Sequence, residues 1–307
     1  MDKKVLVLIL NYNGANDAIA CVESVKKSDF TNYTIALVDN FSTDNSLATL
    51  SRHFMETRVP VTTLRSSEIH NLSFKPGHIF LIANHENRGF AAGNNLVLSQ
   101  ILEWDCMIWL LNPDIIVEPN TMSSLVQDMG MDPIKVVGHS VFSMKEPERM
   151  LHLGGGAIDW KSATVRPATR SDVSIDYIYG GSLFTHSLVF SQFGLLPEQY
   201  FLYWEETDWC YRLKERGVPL VISSNARVYD KVGGSIGRGQ FAFYYYTLNG
   251  LRFVTSIQPY RKYQIVFFNV IRILKRILSF QFQVARGIFW GTVDFLRGKF
   301  NTNGIQK

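Results

Sequence analysis

The sequence predicts an α/β protein built on one large, mostly parallel central sheet flanked by helices, with a C-terminal helical extension. Three observations lead there. Largely apolar runs at residues 4–10, 34–38, 79–83 and 106–111 lack the alternation of a half-exposed strand, so both their faces are buried. Stretches with helical spacing separate the runs. The runs also stop in polar loops, as at Asn11-Tyr12-Asn13-Gly14, Asp39-Asn40 and Asn112-Pro113-Asp114. A chain of 307 residues, 46% of them hydrophobic, has enough apolar surface to fill such a core.

In chain order, a strand at 4–10 is followed by a helix that ends near Val25. A strand over Thr34 to Val38 precedes a helix beginning around Ser42 to Asp44. Ile79 to Ala83 and Cys106 to Leu111 are further strands, with a helix from Ala91 to Leu102 between them. The pattern from Lys135 to Thr185 is irregular apart from a strand at Ile175 to Tyr179. Glu205 to Gly217 reads as a helix with acids in its first turn and bases near its end, which suits its dipole. A short strand at Val218 to Ile222 and a glycine-rich loop over Gly233 to Gly239 complete a first domain, residues 1–240.

Residues 241–307 form a second unit of different character. They carry 10 Lys and Arg against one acid, whereas residues 1–240 carry 21 against 26. Their bases are interleaved with aromatic and aliphatic residues and no apolar span reaches 18 residues, so amphipathic helices on an anionic membrane surface are expected rather than a membrane crossing. The same interleaving argues against nucleic acid, which favours a hydrophilic basic strip. Cys21, Cys106 and Cys210 form no CxxC pair, which excludes a disulfide framework and fits a reducing compartment. The N-terminal MDKKVLVLILNYN lacks a small-residue cleavage pattern and reads as a strand.

In an open α/β sheet, ligands bind at the carboxyl ends of the strands, so the polar loops there are the candidate site. Four of them are acidic or amide-rich: Asn11 to Asn13, Asp39 to Asp44, Asn112 to Asp114, and Glu205 to Asp208. Asn and Asp side chains supply donors and acceptors for a base and a ribose, and carboxylates hold a hard divalent ion against a diphosphate. Each loop taken singly is an ordinary turn composition. A dinucleotide-dependent oxidoreductase shares the opening pattern but needs a glycine fingerprint after the first strand, where only Gly14 stands.

Over residues 3–253 these motifs resemble family 2 glycosyltransferases of the GT-A fold, in particular bacterial rhamnosyltransferase-type members that build surface polysaccharides. The string Asn87-Arg88-Gly89-Phe90-Ala91-Ala92-Gly93-Asn94-Asn95 is the most family-specific phrase. The resemblance implies that Asn11, Tyr12, Asn13, Asp39, Asn40, Ser42, Asp44, Arg88, Gly89 and Asn112 bind the nucleotide. It also implies that Asp114 holds Mg2+ or Mn2+. In Phe201-Leu202-Tyr203-Trp204-Glu205-Glu206-Thr207-Asp208 the general base falls on Glu206, with Glu205 and Asp208 as alternatives, and a single displacement inverts the anomeric centre. Gly180, Gly181 and Trp204 are expected to line the acceptor or sugar pocket. Trp160 and Trp209 are weaker stacking candidates.

Two departures stand out. Where many relatives carry a His before the glycine-rich segment, this chain has Asp230, a carboxylate still able to bind a hard cation or to pair with Lys231. Around Asn249, in Tyr244-Tyr245-Tyr246-Thr247-Leu248-Asn249-Gly250, relatives are more basic; here Arg238 and Arg252 are the nearest bases. His53, His85, His139, His152 and His186 have no ligand-like spacing. The expected partners are a nucleotide-sugar donor (dTDP-rhamnose or a UDP-sugar) and a saccharide or lipid-linked saccharide acceptor, at the cytoplasmic face of the cell membrane. A catalytically silent relative of such enzymes at the membrane surface is the alternative.

Overall fold

Strand β1 (Val5–Asn11) shows why the sheet lies in the middle of the molecule. Its Val5, Val7 and Ile9 enter one apolar cluster and Leu6 and Leu8 another, because successive side chains of a strand point to opposite faces. In the computed structural model, which describes residues 3–170, 173–231 and 239–300, helices cover both faces accordingly. After β1 come α1 (Ala15–Val25), β2 (Tyr33–Asp39), α2 (Ser46–Glu56), β3 (Val61–Arg65), β4 (Ile79–Ala83), α3 (Phe90–Leu98), β5 (Met107–Leu111), β6 (Ile115–Val117) and α4 (Thr121–Met129). Residues of α1, α2 and α4 join the Val5 cluster, and α3 joins the Leu6 cluster.

The segment expected to be irregular is β-rich: β7 (Val136–Ser143), β8 (Met150–His152), β9 (Gly155–Asp159), β10 (Thr164–Pro167), β11 (Tyr177–Ile178) and β12 (Ser182–His186). These strands are short, mostly antiparallel and interrupted by glycine, so they leave no long apolar run. There follow α5 (Ser187–Phe193), α6 (Glu205–Glu215), β13 (Leu220–Asp230), α7 (Gln240–Ile257), α8 (Lys262–Leu278) and α9 (Phe282–Leu296). Several expected boundaries move: α2 begins at Ser46 rather than at 42–44, and α6 ends at Glu215 rather than 217. Helix α3 ends at Leu98 rather than 102, the strand at 175–179 contracts to Tyr177–Ile178, and the strand at 218–222 becomes the eleven-residue β13. A register shift between Ser223 and Arg227 breaks the apolar pattern of β13 and hides its length.

The main sheet runs β3-β4-β2-β1-β5-β12-β7-β13-β6, with β8 on β7; β10-β9-β11 form a small second sheet. Helix α7 is wedged into the body. Its Leu251, Phe253 and Val254 pack with Tyr200 and Trp204 and with Ile158 and Ala163 from the small-sheet region.

Candidate active site

Parallel pairing brings strand ends level, and the register shows which residues share an edge. Asn11 stands beside Asp39, and Asp39 beside Ala83. Leu111, which precedes Asn112, faces Ser182, the first residue of antiparallel β12, so Gly180-Gly181 arrives at the same edge. Asp230 ends β13 opposite Ile115, the residue after Asp114. Loops more than 200 residues apart in sequence are thereby collected along one rim.

At the first pair of strand ends, Asn11 donates to Asp39 at 2.9 Å, and the Ser42 backbone and hydroxyl donate to the same carboxylate at 3.1 and 2.6 Å. Asn13, at φ 53°, accepts from the Thr43 amide at 2.8 Å. These bonds lock the two loops together beside a cavity of about 340 Å3, lined by Asn13, Gly14, Asp17, Asp44, Ser46 and Lys231 among others. Tyr12 is exposed at the rim.

A second node lies where β6 and β13 meet. The Tyr179 hydroxyl donates to Asp230 at 2.8 Å, and Lys231 pairs with Asp17 at 2.8 Å. Burial, then the charges of Asp230, Asp114 and Glu206, push the Tyr179 phenol well up, so it remains a proton donor. The carboxylates of Asp114 and Asp230 are hard oxygen donors, whereas the Tyr179 phenol keeps its proton and donates to Asp230. No group of three or more His, Cys, Asp or Glu suited to a metal is found among the described residues. Asp114 and Asp230 are the residues here that could hold a hard cation.

The third element is the turn into α6. Tyr203 and Trp204 have φ of 64° and 79°, a left-handed pair costly for bulky side chains. Several contacts enforce it. Asn249 donates to the carbonyls of Leu202 and Tyr203 at 2.8 and 3.3 Å, and the Trp204 indole donates to the Tyr246 carbonyl at 2.9 Å. From the other side the Phe90 amide donates to the Phe201 carbonyl at 3.0 Å. Gly89, at φ 99°, lies so close that a Cβ would sit 2.1 Å from that oxygen. The turn delivers Glu205 and Glu206 to the start of α6. Glu206 rests on Gly180, where an added Cβ would come within 2.8 Å of its Cγ.

Burial raises the Glu206 carboxyl to about 7, offset in part by the amides of Glu206 and Thr207 at the helix start. Glu205 is buried more deeply, and burial followed by the Glu206 charge pushes it well above the carboxylate range. Glu205 is therefore the protonated partner and Glu206 the carboxylate that titrates near neutrality.

Residues 6–153 match the sequence model of Glycosyl transferase family 2. The low-salt glycan biosynthesis hexosyltransferase Agl10 of Haloferax volcanii is 23% identical over 153 residues, 46% of this chain and 48% of that protein. The chain thus spans about half the length of this curated relative. Among solved structures, the mannosyltransferase PcManGT from Pyrobaculum calidifontis, in complex with GDP-Man and Mn2+, superposes with a TM-score of 0.58 at 12% identity, over 97% of this chain and 88% of that one. GalNAc-T7 with UDP, GalNAc and Mn2+ gives 0.59 at 16%, over 83% and 48%. TarS from S. aureus with UDP gives 0.52 at 14%, over 90% and 72%. The shared feature is the GT-A fold.

The expected site residues divide into two groups. Asn11, Asn13, Asp39, Ser42, Asp44, Asn112, Asp114, Gly180, Gly181, Glu206 and Asp230 all stand along the rim. Others are occupied by structure. Asn40 is buried, donating to Asn87 and Gly89 and accepting from Asn84, so it ties the Asn87 to Asn95 phrase to β2. Asn95 likewise binds the Leu196 backbone. Arg88 is exposed and pairs with Glu198 at 3.3 Å.

Asp208 is fully buried and accepts from Tyr200 at 3.0 Å and from Arg212, its neighbour one turn along. Trp204 is 2% exposed and packs on Tyr246 and Phe253, so its ring has no face left for a sugar, contrary to expectation. Trp209 stacks on Phe190 and Trp160 packs on Tyr211. Asn249 faces the strained turn rather than a diphosphate, and Arg252 donates to the Gln199 carbonyl. Arg238 and Gly233 to Ser235 lie outside the described residues.

Three residues at the site escape sequence reasoning: Tyr179, the phenol on Asp230; Lys231, at the cavity wall; and Tyr246, whose carbonyl holds Trp204 and whose hydroxyl accepts from Val165. Only the proximity of Tyr179 to Gly180-Gly181 was a signal.

Proposed function

We propose that this protein is a metal-dependent, inverting glycosyltransferase that moves a sugar from a nucleotide diphosphate donor to a hydroxyl of a saccharide or lipid-linked saccharide, in surface polysaccharide synthesis at the cytoplasmic face of the cell membrane. The observation that carries this reading is Glu206: a carboxylate raised to about 7 by burial, fixed at the sheet rim that also bears the Asp114 and Asp230 node. In the proposed step Glu206 takes the proton of the acceptor hydroxyl as that oxygen bonds to the anomeric carbon. The bond from that carbon to the diphosphate oxygen breaks, and its electron pair leaves with the nucleoside diphosphate. Asp114 and Asp230 would hold Mg2+ or Mn2+, whose charge stabilises the leaving diphosphate. The Tyr179 phenol, kept protonated, fixes the orientation of Asp230. The locked loops of Asn11 to Asn13 and Asp39 to Asp44 form the nucleotide end of the site.

The donor class follows from the resemblance, which favours a dTDP-linked deoxysugar such as rhamnose over UDP-sugars. GDP-Man and UDP in the neighbours' structures add two nucleotides to test. The test is a screen of dTDP-, UDP- and GDP-sugars for nucleoside diphosphate release with Mn2+ or Mg2+, repeated with Asp114→Asn and Glu206→Gln. Release that requires the metal and is lost in both variants is the expected result. Metal-stimulated thermal stabilisation by a nucleotide without any turnover would instead identify a catalytically silent relative.

A further inference from the structure

We propose that α8 and the turn joining it to α9 dock the protein on an anionic lipid leaflet, a role that stands whether or not the transfer reading does. Helix α8 has two unlike faces. Inward, Ile265 and Asn269 are buried, and Asn269 donates to Thr292 of α9 at 3.1 Å, so the helix is fixed to the body. Outward, Tyr263, Phe267, Val270, Leu274 and Leu278 recur every three or four residues and form one apolar stripe. Tyr263 and Leu278 at its two ends are 81% and 80% exposed, and the stripe continues into Phe280 and Phe282 at the turn. A continuous apolar surface of this length is not left to water without a partner.

Charge identifies the partner. Arg261, Lys262, Lys275 and Arg276 stand at the two ends of α8, Arg286 lies exposed on α9 one turn before the exposed Phe289 and Trp290, and Arg297 is exposed just past the end of α9. The one acid after residue 240, Asp294, accepts from Tyr244 at 2.9 Å. A second copy of this chain would bring the same positive charge to the face, and like charges oppose that pairing. An anionic leaflet matches both features: acyl chains for the stripe, phosphates for the bases, and the interface for the aromatic rings. No described helix is long and apolar enough to cross a membrane. Helix α8, at 17 residues, lies in the plane of the leaflet, with its stripe at the boundary between headgroups and chains.

The test is co-sedimentation of the full chain with phosphatidylcholine vesicles and with vesicles containing half phosphatidylglycerol, without any sugar substrate. The expected result is binding to the anionic vesicles only, weakened by salt, with a blue shift of tryptophan emission from Trp290. Phe267→Ser with Leu274→Ser, both at exposed positions, should lower the partition constant at least a hundredfold. Lys262→Glu with Lys275→Glu should lower it at least about twentyfold. Equal binding to neutral vesicles, or no loss in either double variant while thermal melting shows both folded, would overturn the proposal. So would a failure to bind vesicles together with a dimer that Leu274→Ser dissociates.

Discussion

The pH dependence of turnover tests the assignment of Glu206 most directly. With its carboxyl at about 7, the residue is ionised in about one tenth of molecules at pH 6 and about nine tenths at pH 8. Because a general base must be ionised to accept a proton, kcat/KM should rise about tenfold between these values and level off above them. The sign follows from burial: a carboxyl in water would titrate near 4.5 and leave this range flat. Glu206→Gln removes the proton acceptor while keeping shape, and should lower kcat at least about a hundredfold and abolish the pH step. Glu205→Gln should keep the step, because Glu205 is already neutral and an amide mimics its protonated form. The assay is the initial rate of nucleoside diphosphate release from the donor returned by the screen, with acceptor present, from pH 5.5 to 9. A flat profile would refute the assignment, as would a pH step lost with Glu205→Gln but kept with Glu206→Gln.

Three further perturbations probe how the site is held. Gly180→Ala forces a Cβ to within 2.8 Å of the Glu206 Cγ, so the carboxylate must move; kcat should fall at least about tenfold with little change in melting temperature, measured on the same preparation. Asn249→Ala leaves the Leu202 and Tyr203 carbonyls without their donor and should cost about 1–3 kcal/mol in urea unfolding. Its positioning role predicts a drop in kcat and a displaced pH midpoint with donor KM nearly unchanged, which a purely structural loss would not produce. Leu8→Ala, in the fully buried centre of β1, should cost about 2–5 kcal/mol by the same unfolding measurement; a cost under about 1 kcal/mol would argue against the central place of that strand.

Much of the first half of the fold was legible because β1, β2, β4 and β5 are buried on both faces and end abruptly in Asn and Asp. The region from Lys135 to Thr185 was not, since antiparallel strands of two to eight residues carry too few apolar positions to register as a period. The same limit hid the second half of β13, where the shift after Ser223 breaks the pattern before the strand reaches Asp230.

At the site, the residue types were visible but their division of labour was not. Glu205, Glu206 and Asp208 lie within four positions of one another and look alike in sequence. Asp208 is set apart locally, by Tyr200 eight residues before it and Arg212 one helix turn on, while the other two are separated by tertiary packing: deep burial neutralises Glu205, and only Glu206 rests on Gly180 at the rim. Trp204 fell on the wrong side for the same reason, its ring being claimed by Tyr246 and Phe253 from α7.

By itself the sequence determined the class of fold, the strand ends on which polar loops had to stand, and the basic, aromatic nature of the last sixty residues, because each is set by local composition and period. Which carboxylate titrates near neutrality, which asparagine braces a left-handed turn and which face of α8 stays bare were decided only when distant segments packed. Desolvation, hydrogen-bond partnering and exposure depend on the neighbours that folding supplies, and those neighbours lie tens to hundreds of residues away along the chain.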